Sequence, residues 1–107
     1  MTAQTNGGVT WSFLTNHALV LIRVSREPDS TGLQIAQAVG ITERAARRIL
    51  ADLAAAGYIG REKMGRRNRY QVDIHRPLGR FAEQALTVGQ LLGLVLGREG
   101  QARSLAG

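Results

Sequence analysis

The side chains in this sequence that are best suited to binding a ligand are basic, and they are concentrated between positions 42 and 69. This segment has eight arginines and lysines but only three acids, so it holds +5 of the chain's net charge of +6. The eight are Arg44, Arg47, Arg48, Arg61, Lys63, Arg66, Arg67 and Arg69. A guanidinium group binds a phosphate or a guanine through two parallel hydrogen bonds. The concentration therefore indicates a surface for a polyanion, with a basic solvated face as the alternative.

The first basic group has the spacing of a helix. Arg44, Arg47 and Arg48 follow the i, i+3, i+4 rule on one face, and an apolar stripe follows the same rule on another. The stripe consists of Ala46, Ile49, Leu50 and Leu53. Thr42 is a suitable N-cap, and the helix dipole favours an acid such as Glu43 in the first turn. Glu43 can accept a hydrogen bond from cytosine or pair with Arg47, and the sequence leaves both roles open.

The second basic group has the spacing of a hairpin. The stretches "YIGREK" and "RNRYQVD" read as two strands joined by "MGR", with Gly65 in the turn. Tyr58, Ile59, Tyr70 and Val72 are its predicted apolar anchors. Four basic side chains then point away from those anchors, namely Arg61, Lys63, Arg67 and Arg69, and Arg66 lies near the hairpin tip.

Two predicted helices precede the basic helix. "TNHALVLIRVSREP" forms the first and Pro28 ends it, and "TGLQIAQAVG" forms the second, with Gly40 at its C-terminus. Almost no linker separates Gly40 from Thr42, and Ala36 permits a close helix crossing. This pattern predicts a helix-turn-helix, whose second helix can lie in the DNA major groove with its N-terminal half on the bases.

The segment "GLQIAQAVGITERAARRILADLAAAGYIGREKMGRRNRYQV" resembles the core of bacterial winged helix-turn-helix transcriptional regulators of the MarR/ArsR kind. The resemblance spans roughly residues 15 to 75, and "GITERAARRILADLAAAGYI" followed by "GRRNRYQV" is its specific part. It implies a mostly α, α+β fold with a three-helix core and a β-hairpin wing. It also implies a recognition helix over 42–56 and a wing over 58–73. The implied major-groove residues are Thr42, Glu43, Arg44, Arg47 and Arg48, and the implied wing contacts to the DNA backbone are Arg61, Lys63, Arg66, Arg67 and Arg69.

Neither a cofactor nor a metal is predicted. ArsR-type metal sensors usually use cysteine pairs, and this chain has no cysteine. Asp73 and His75 could share a strand face and bind a metal, but an exposed pair at a strand end is the favoured interpretation. MarR proteins are usually longer, with extra dimerisation helices that also form an effector pocket, and this sequence identifies no such site.

A last helix is predicted over residues 76–97, with Pro77 in its first turn. Its apolar residues alternate in steps of three and four, as in helix–helix packing, and Gly89, Gly93 and Gly97 recur every four residues. We therefore predict a homodimer that binds an inverted repeat. The predicted interface comprises Leu78, Phe81, Ala85, Val88, Gly89, Leu92, Gly93 and Val95. Two alternatives are that the helix breaks near Gly89 or that the glycines pack on their own domain.

The sequence thus predicts a flexible N-terminus over 1–10, a winged-helix domain over 11–75, a C-terminal dimerisation helix over 76–97 and a flexible tail over 98–107. No enzyme is predicted, because the chain lacks a cysteine nucleophile, GxxxxGK[ST], HExxH and a Gly-rich dinucleotide loop. The apolar run 84–97 is shorter than the roughly 20 residues that span a bilayer, so no membrane segment is predicted. These features favour a cytoplasmic, sequence-specific double-stranded DNA-binding regulator. The alternative is a winged-helix module for protein interaction or RNA binding.

Overall fold

The computed structural model describes the backbone of residues 12–79 and 86–106, and the side chains of these residues as far as Gly97. Helix α1 spans Asn16–Arg26, and the Thr15 hydroxyl accepts a hydrogen bond from the Ala18 amide at 3.1 Å. Helix α2 spans Gly32–Val39 and begins with a reciprocal capping box. In this box the Thr31 hydroxyl accepts from the Gln34 amide and the Gln34 side chain accepts from the Thr31 amide.

A tight turn joins α2 to α3, which spans Glu43–Ala55. Gly40 has a φ of 87°, a left-handed conformation that glycine adopts without steric cost. The amides of Gly40 and Ile41 both donate to the Ala36 carbonyl, at 2.8 and 3.0 Å. Thr42 then caps α3 by accepting from the Ala45 amide. The predicted helix-turn-helix is confirmed, together with Gly40 at the C-terminus of α2 and Thr42 as the N-cap of α3.

A two-stranded antiparallel hairpin follows, with β1 over Ile59–Met64 and β2 over Arg67–Val72. Met64 pairs with Arg67, so the connection has two residues, and Gly65 has a φ of 65°. Positive φ at the first central residue suits the primed turns that match the twist of paired strands. We call residues 58–73 the wing, and the fold is a winged helix-turn-helix.

The core lies between the three helices and the base of the wing. Its side chains are apolar and mostly aliphatic: Val20, Leu21, Ile22, Val24, Ile35, Ala36, Ala46, Ile49, Leu50, Leu53, Ile59, Tyr70, Val88 and Leu92. All four residues of the predicted α3 stripe are among them. Because that stripe faces the core, the arginines of α3 lie outside it and are exposed to solvent.

The C-terminal helix begins later than its apolar spacing predicts. Helix α4 spans Val88–Ala106, whereas Pro77 forms an isolated antiparallel bridge with Thr87. The Leu78 amide donates to the Leu86 carbonyl at 2.8 Å. The reason is a capping box that the prediction overlooked: the Thr87 amide donates to Gln90 Oε1, and the Gln90 amide donates to the Thr87 hydroxyl. The predicted helical start at Pro77 is wrong.

The predicted dimer stripe is therefore not one continuous surface. Val88 and Leu92 have no exposed surface and belong to the chain's own core. A Cβ atom on Gly89 would lie 3.0 Å from the Ile74 carbonyl oxygen, so this glycine packs on its own domain, as one of the alternatives held. Leu78 is half-buried against the core, Gly93 is half-buried in α4, and Val95 is 42% exposed. Phe81 and Ala85 lie outside the described residues, as do residues 1–11.

Helix α4 also continues beyond the predicted boundary at residue 97. Gly97 has a φ of 77° and kinks the helix, and the backbone is helical again as far as Ala106. Residues 98–106, predicted as a tail without structure, therefore have helical backbone. Within the described residues, no helix has both the length and the apolar character that crossing a membrane requires.

The C-terminal end of α3 is held by Arg76. Gly57 has a φ of 84°, and the amides of Gly57 and Tyr58 donate to the carbonyls of Ala54 and Leu53. The Arg76 guanidinium donates to the Ala56 carbonyl through Nε at 3.2 Å and Nη2 at 2.6 Å. A Cβ atom on Gly57 would lie 2.8 Å from Arg76 Cζ, so a side chain there would displace this contact.

We expect Gly57→Ala to lower the free energy of unfolding by more than Gly40→Ala does. Both glycines have positive φ, which costs an L-residue about 1–2 kcal/mol. Only Gly57 also faces Arg76, whose displaced hydrogen bonds add about 1 kcal/mol, whereas nothing lies within 4 Å of a Cβ on Gly40. Urea unfolding at fixed protein concentration measures both changes. In an Arg76→Ala background the difference should vanish, and its persistence would contradict the proposed clash.

Candidate nucleic-acid interface

The outward face of α3 presents two arginines directly to solvent. Arg44 and Arg48 are four residues apart, are exposed, and lie opposite the buried stripe. Both are in the N-terminal half of the helix, the part of a recognition helix that contacts bases. Thr42 is exposed at the N-cap, where its oxygen accepts from Ala45 while its O–H remains able to donate.

Arg47 differs from these two arginines because it is paired. Its Nη2 donates to Glu43 Oε2 at 2.6 Å, one turn earlier on the same helix. The hydrogen bond that Arg47 donates to Glu43, and next the negative charge of that carboxylate, raise the pKa of Arg47 above its ordinary value. Of the two roles left open for Glu43, the structure contains the ion pair. Both side chains remain substantially exposed, so the pair contributes little to stability.

Arg47 also points towards a different neighbour. A Cβ atom built on Gly32 would lie 3.6 Å from Arg47 Cγ, Nε and Cζ, so the side chain of Arg47 lies along the first turn of α2. The sequence placed Arg44, Arg47 and Arg48 on one face. The structure separates Arg47, which flanks α2, from Arg44 and Arg48, which face outwards.

The wing divides its charges between two faces. Directly paired residues share a face, and the pairing sets Arg61 opposite the buried Tyr70 and Lys63 opposite Asn68. Arg61 and Lys63 therefore lie on the inner face, which also carries Ile59. The outer face carries Arg69, which pairs with Glu62 across the strands and lies 3.7 Å from a carboxylate oxygen of Asp29.

The inner face of the wing and its tip, together with α3 and the start of α2, form a cleft of about 300 Å³. We call it the basic cleft, because four arginines line it: Arg47, Arg61, Arg66 and Arg67. Ser30, Thr31 and Gly32 form its α2 side, and Leu50, Asn68 and Tyr70 complete the lining. None of these lining residues is acidic. The structure thus brings one arginine of α3 and three of the wing to a single concave surface.

A second cleft, of about 310 Å³, lies on the other side of α3 and is mostly apolar. Ala18, Leu21, Leu53, Leu78 and Leu91 are among its lining residues. At its edge His17 Nε2 lies 2.9 Å from Asp52 Oδ2, which links α1 to α3. No local pattern indicates this pair, because its members are 35 residues apart and neither belongs to a motif.

The two residues considered for a metal have a structural role instead. Asp73 and His75 follow β2 rather than sharing a strand, and the Asp73 carboxylate accepts from the His75 amide at 3.0 Å. In the described part of the chain, no group of three or more histidines, cysteines or acids could hold a metal ion.

The basic cleft itself was missed at the level of sequence. Its wing arginines were recognised as phosphate contacts, but its α2 side was not. One local feature could have indicated it: the capping box "TGLQ" places Thr31 and Gly32 at a helix N-terminus, where two amides remain without helical partners. Which arginine would lie there depends on the packing of α2 against α3, and helical spacing alone does not define that packing.

Comparison with known proteins gives a structural match only. No family model matches this chain, and no curated protein matches it. Among the solved structures that match is the crystal structure of the Mycobacterium tuberculosis MarR family protein Rv2887 in complex with salicylic acid. The sequence identity is 22% and the TM-score is 0.46, over 87% of this chain and 59% of that one. This chain therefore spans less than two thirds of the chain that it matches, and the likeness is one of fold.

Proposed function

We propose that this chain is a sequence-specific double-stranded DNA-binding transcriptional regulator. The observation that carries the proposal is the arrangement of α3 beside the wing. The recognition helix exposes Arg44 and Arg48, and the adjoining wing adds five further basic residues, three of them in the basic cleft. A helix and a positively charged hairpin placed side by side suit a major groove and the phosphates that border it. A regulator of this kind acts in the bacterial cytoplasm.

In this proposal the residues fall into two groups. Arg44 and Arg48 read bases in the major groove, since a guanidinium can donate two hydrogen bonds to guanine O6 and N7. Thr42 binds a phosphate at the helix N-terminus. The wing holds the protein on the backbone or in the minor groove through Arg61, Lys63, Arg66, Arg67 and Arg69. Phosphate contacts fix the register of the protein, while base contacts select the sequence.

The experiment that tests this function is selection of binding sites from random duplexes. A DNA-binding regulator enriches a defined sequence, and the symmetry of that sequence reports on the oligomer. Enrichment of no sequence, together with no retardation of duplex DNA at low salt, would contradict the proposal. That outcome would favour a protein-interaction module, and binding to RNA but not to duplex DNA would favour an RNA-binding module.

We expect Arg44→Ala and Arg48→Ala to weaken binding to the selected duplex by about 1–3 kcal/mol each and to relax preference at one base position. Lys63→Ala removes the same charge from the wing. It should weaken binding to selected and scrambled duplexes alike and lower the salt slope by about one. Fluorescence anisotropy on both duplexes, at several salt concentrations, separates the two effects. An equal loss on both duplexes for Arg44 and Arg48 would refute base reading.

We also propose that the regulator is a homodimer, as expected of a protein that binds an inverted repeat. Val88, Gly89 and Leu92 pack against their own domain. The proposed dimer contact is therefore made by exposed residues on α4 and just before it. Leu94 is 80% exposed and Val95 is 42% exposed, and Leu86, just before the helix, is 42% exposed. An exposed leucine and valine side by side on a helix are typical of a surface that another subunit covers.

Light scattering at micromolar concentration should give the mass of a dimer. Leu94→Glu should shift it towards the monomer, because dimerisation would bury the new carboxylate. Leu33→Glu is the matched control: Leu33 is 51% exposed but lies on α2, so the same change there should leave the mass unaltered. A monomeric mass for the unmodified protein would end the dimer proposal.

A further inference from the structure

We propose that the basic cleft is a phosphate-binding site in which Arg47 is a ligand of the phosphate and not a reader of bases. The proposal rests on the proposed DNA-binding function, because it concerns the same surface. The site nevertheless makes a prediction that does not require DNA. The ligand chemistry is a phosphate group, supplied either by the backbone of a bound duplex or by a free oligophosphate.

The first argument is charge. Four guanidinium groups line one cleft, and Arg61, Arg66 and Arg67 form no ion pair with any described residue. Only Arg47 has a carboxylate partner, Glu43, which is not among the lining residues. Like charges placed this close repel each other, and an anion between them would relieve that repulsion. Arginine suits this role better than lysine, because its fork of N–H donors matches two oxygens of one phosphate.

The second argument is that the cleft is preformed on its α2 side. Ser30 is only 5% exposed, donates its hydroxyl to the Glu27 carbonyl and accepts from Arg23 Nε. These bonds fix the turn that leads into α2. Gly32 adds no side chain, so the cleft stays open beside Arg47. The capping box engages the amides of Thr31 and Gln34, and the amides of Gly32 and Leu33 lie in the same first turn.

The third argument concerns Arg47 itself. Its guanidinium is held by Glu43 and lies along Gly32, whereas Arg44 and Arg48 lie on the outward face. A base reader must extend from the helix into the groove, and Arg47 instead borders the cleft. The volume of about 300 Å³ is at the lower end of the range for small-molecule sites, so it accommodates a phosphate with an adjoining group.

The first experiment uses the full chain without DNA and inorganic pyrophosphate as the probe. Calorimetry should detect pyrophosphate binding that sulfate and chloride at equal ionic strength do not reproduce. At ten times its Kd, pyrophosphate should raise Tm by roughly 5–10 °C. Arg61→Gln and Arg47→Gln should each weaken the binding at least tenfold.

Arg69→Gln is the matched control for these variants. It removes the same charge from the same hairpin, but from the outer face, so pyrophosphate binding should change less than twofold. Circular dichroism before titration confirms that each variant is folded. Arg61→Lys is a second variant to measure, because lysine keeps the positive charge but lacks the forked N–H donors of the guanidinium.

The second experiment addresses the DNA backbone. Each phosphate of the selected duplex is replaced in turn by an uncharged methylphosphonate, and the affinity is measured for the original protein and for Arg61→Gln. If the backbone supplies the phosphate, one position in each half-site should weaken binding to the original protein at least fivefold. The same replacement should have little effect on Arg61→Gln, while the other positions should affect both proteins alike.

Each result decides the proposal. Pyrophosphate binding that competes with DNA supports a free oligophosphate as one source. Coupling of Arg61 to a single backbone position, without pyrophosphate binding, supports the duplex as the source. Absence of both overturns the phosphate site even if the protein binds DNA, so this failure is distinct from failure of the proposed function. A change of preferred base in Arg47→Gln would overturn the role given to Arg47.

Discussion

The hydrogen bond from the Tyr70 amide to the Pro28 carbonyl, at 3.0 Å, is the contact on which the interface depends. It ties β2 to the loop between α1 and α2, and the Tyr70 side chain is buried at the same point. Apart from Tyr70 and the buried Ile59, the wing is an exposed pair of strands, and such a pair alone is marginally stable in water. Because Tyr70 anchors it, β2 lies against α1 and β1 lies against α3, and the arginines of separate elements meet in one cleft.

Helix α3 is held at both of its ends by different means. At its start the Thr42 hydroxyl accepts from Ala45, and at its end Arg76 donates to the Ala56 carbonyl. The Tyr58 hydroxyl donates to the Pro77 carbonyl at 2.8 Å, which ties the strand that leaves α3 to the segment before α4. A helix fixed in this way loses little conformational freedom when it binds, so less of the interaction energy is spent on ordering it.

Local rules predicted the elements with strong end signals and failed where two rules competed. Thr42 is a cap signal, Gly40 and Gly65 are turn signals, and the alternating anchors define the hairpin. Between Pro77 and Thr87 the apolar residues also fit a helical period, but the capping box of Thr87 and Gln90 determines where α4 begins. Gly89 suits close packing on any neighbour, and only the folded chain shows that the neighbour is Ile74.

The pair between Glu43 and Arg47 has a consequence for the ions around the protein. In the free protein a fixed carboxylate, rather than a mobile anion, neutralises this arginine. If Arg47 binds a DNA phosphate as proposed, it leaves Glu43 and exchanges one anionic partner for another. No mobile anion has to leave Arg47 in that exchange. Arg47 would then strengthen DNA binding without releasing an anion from the surface of the protein.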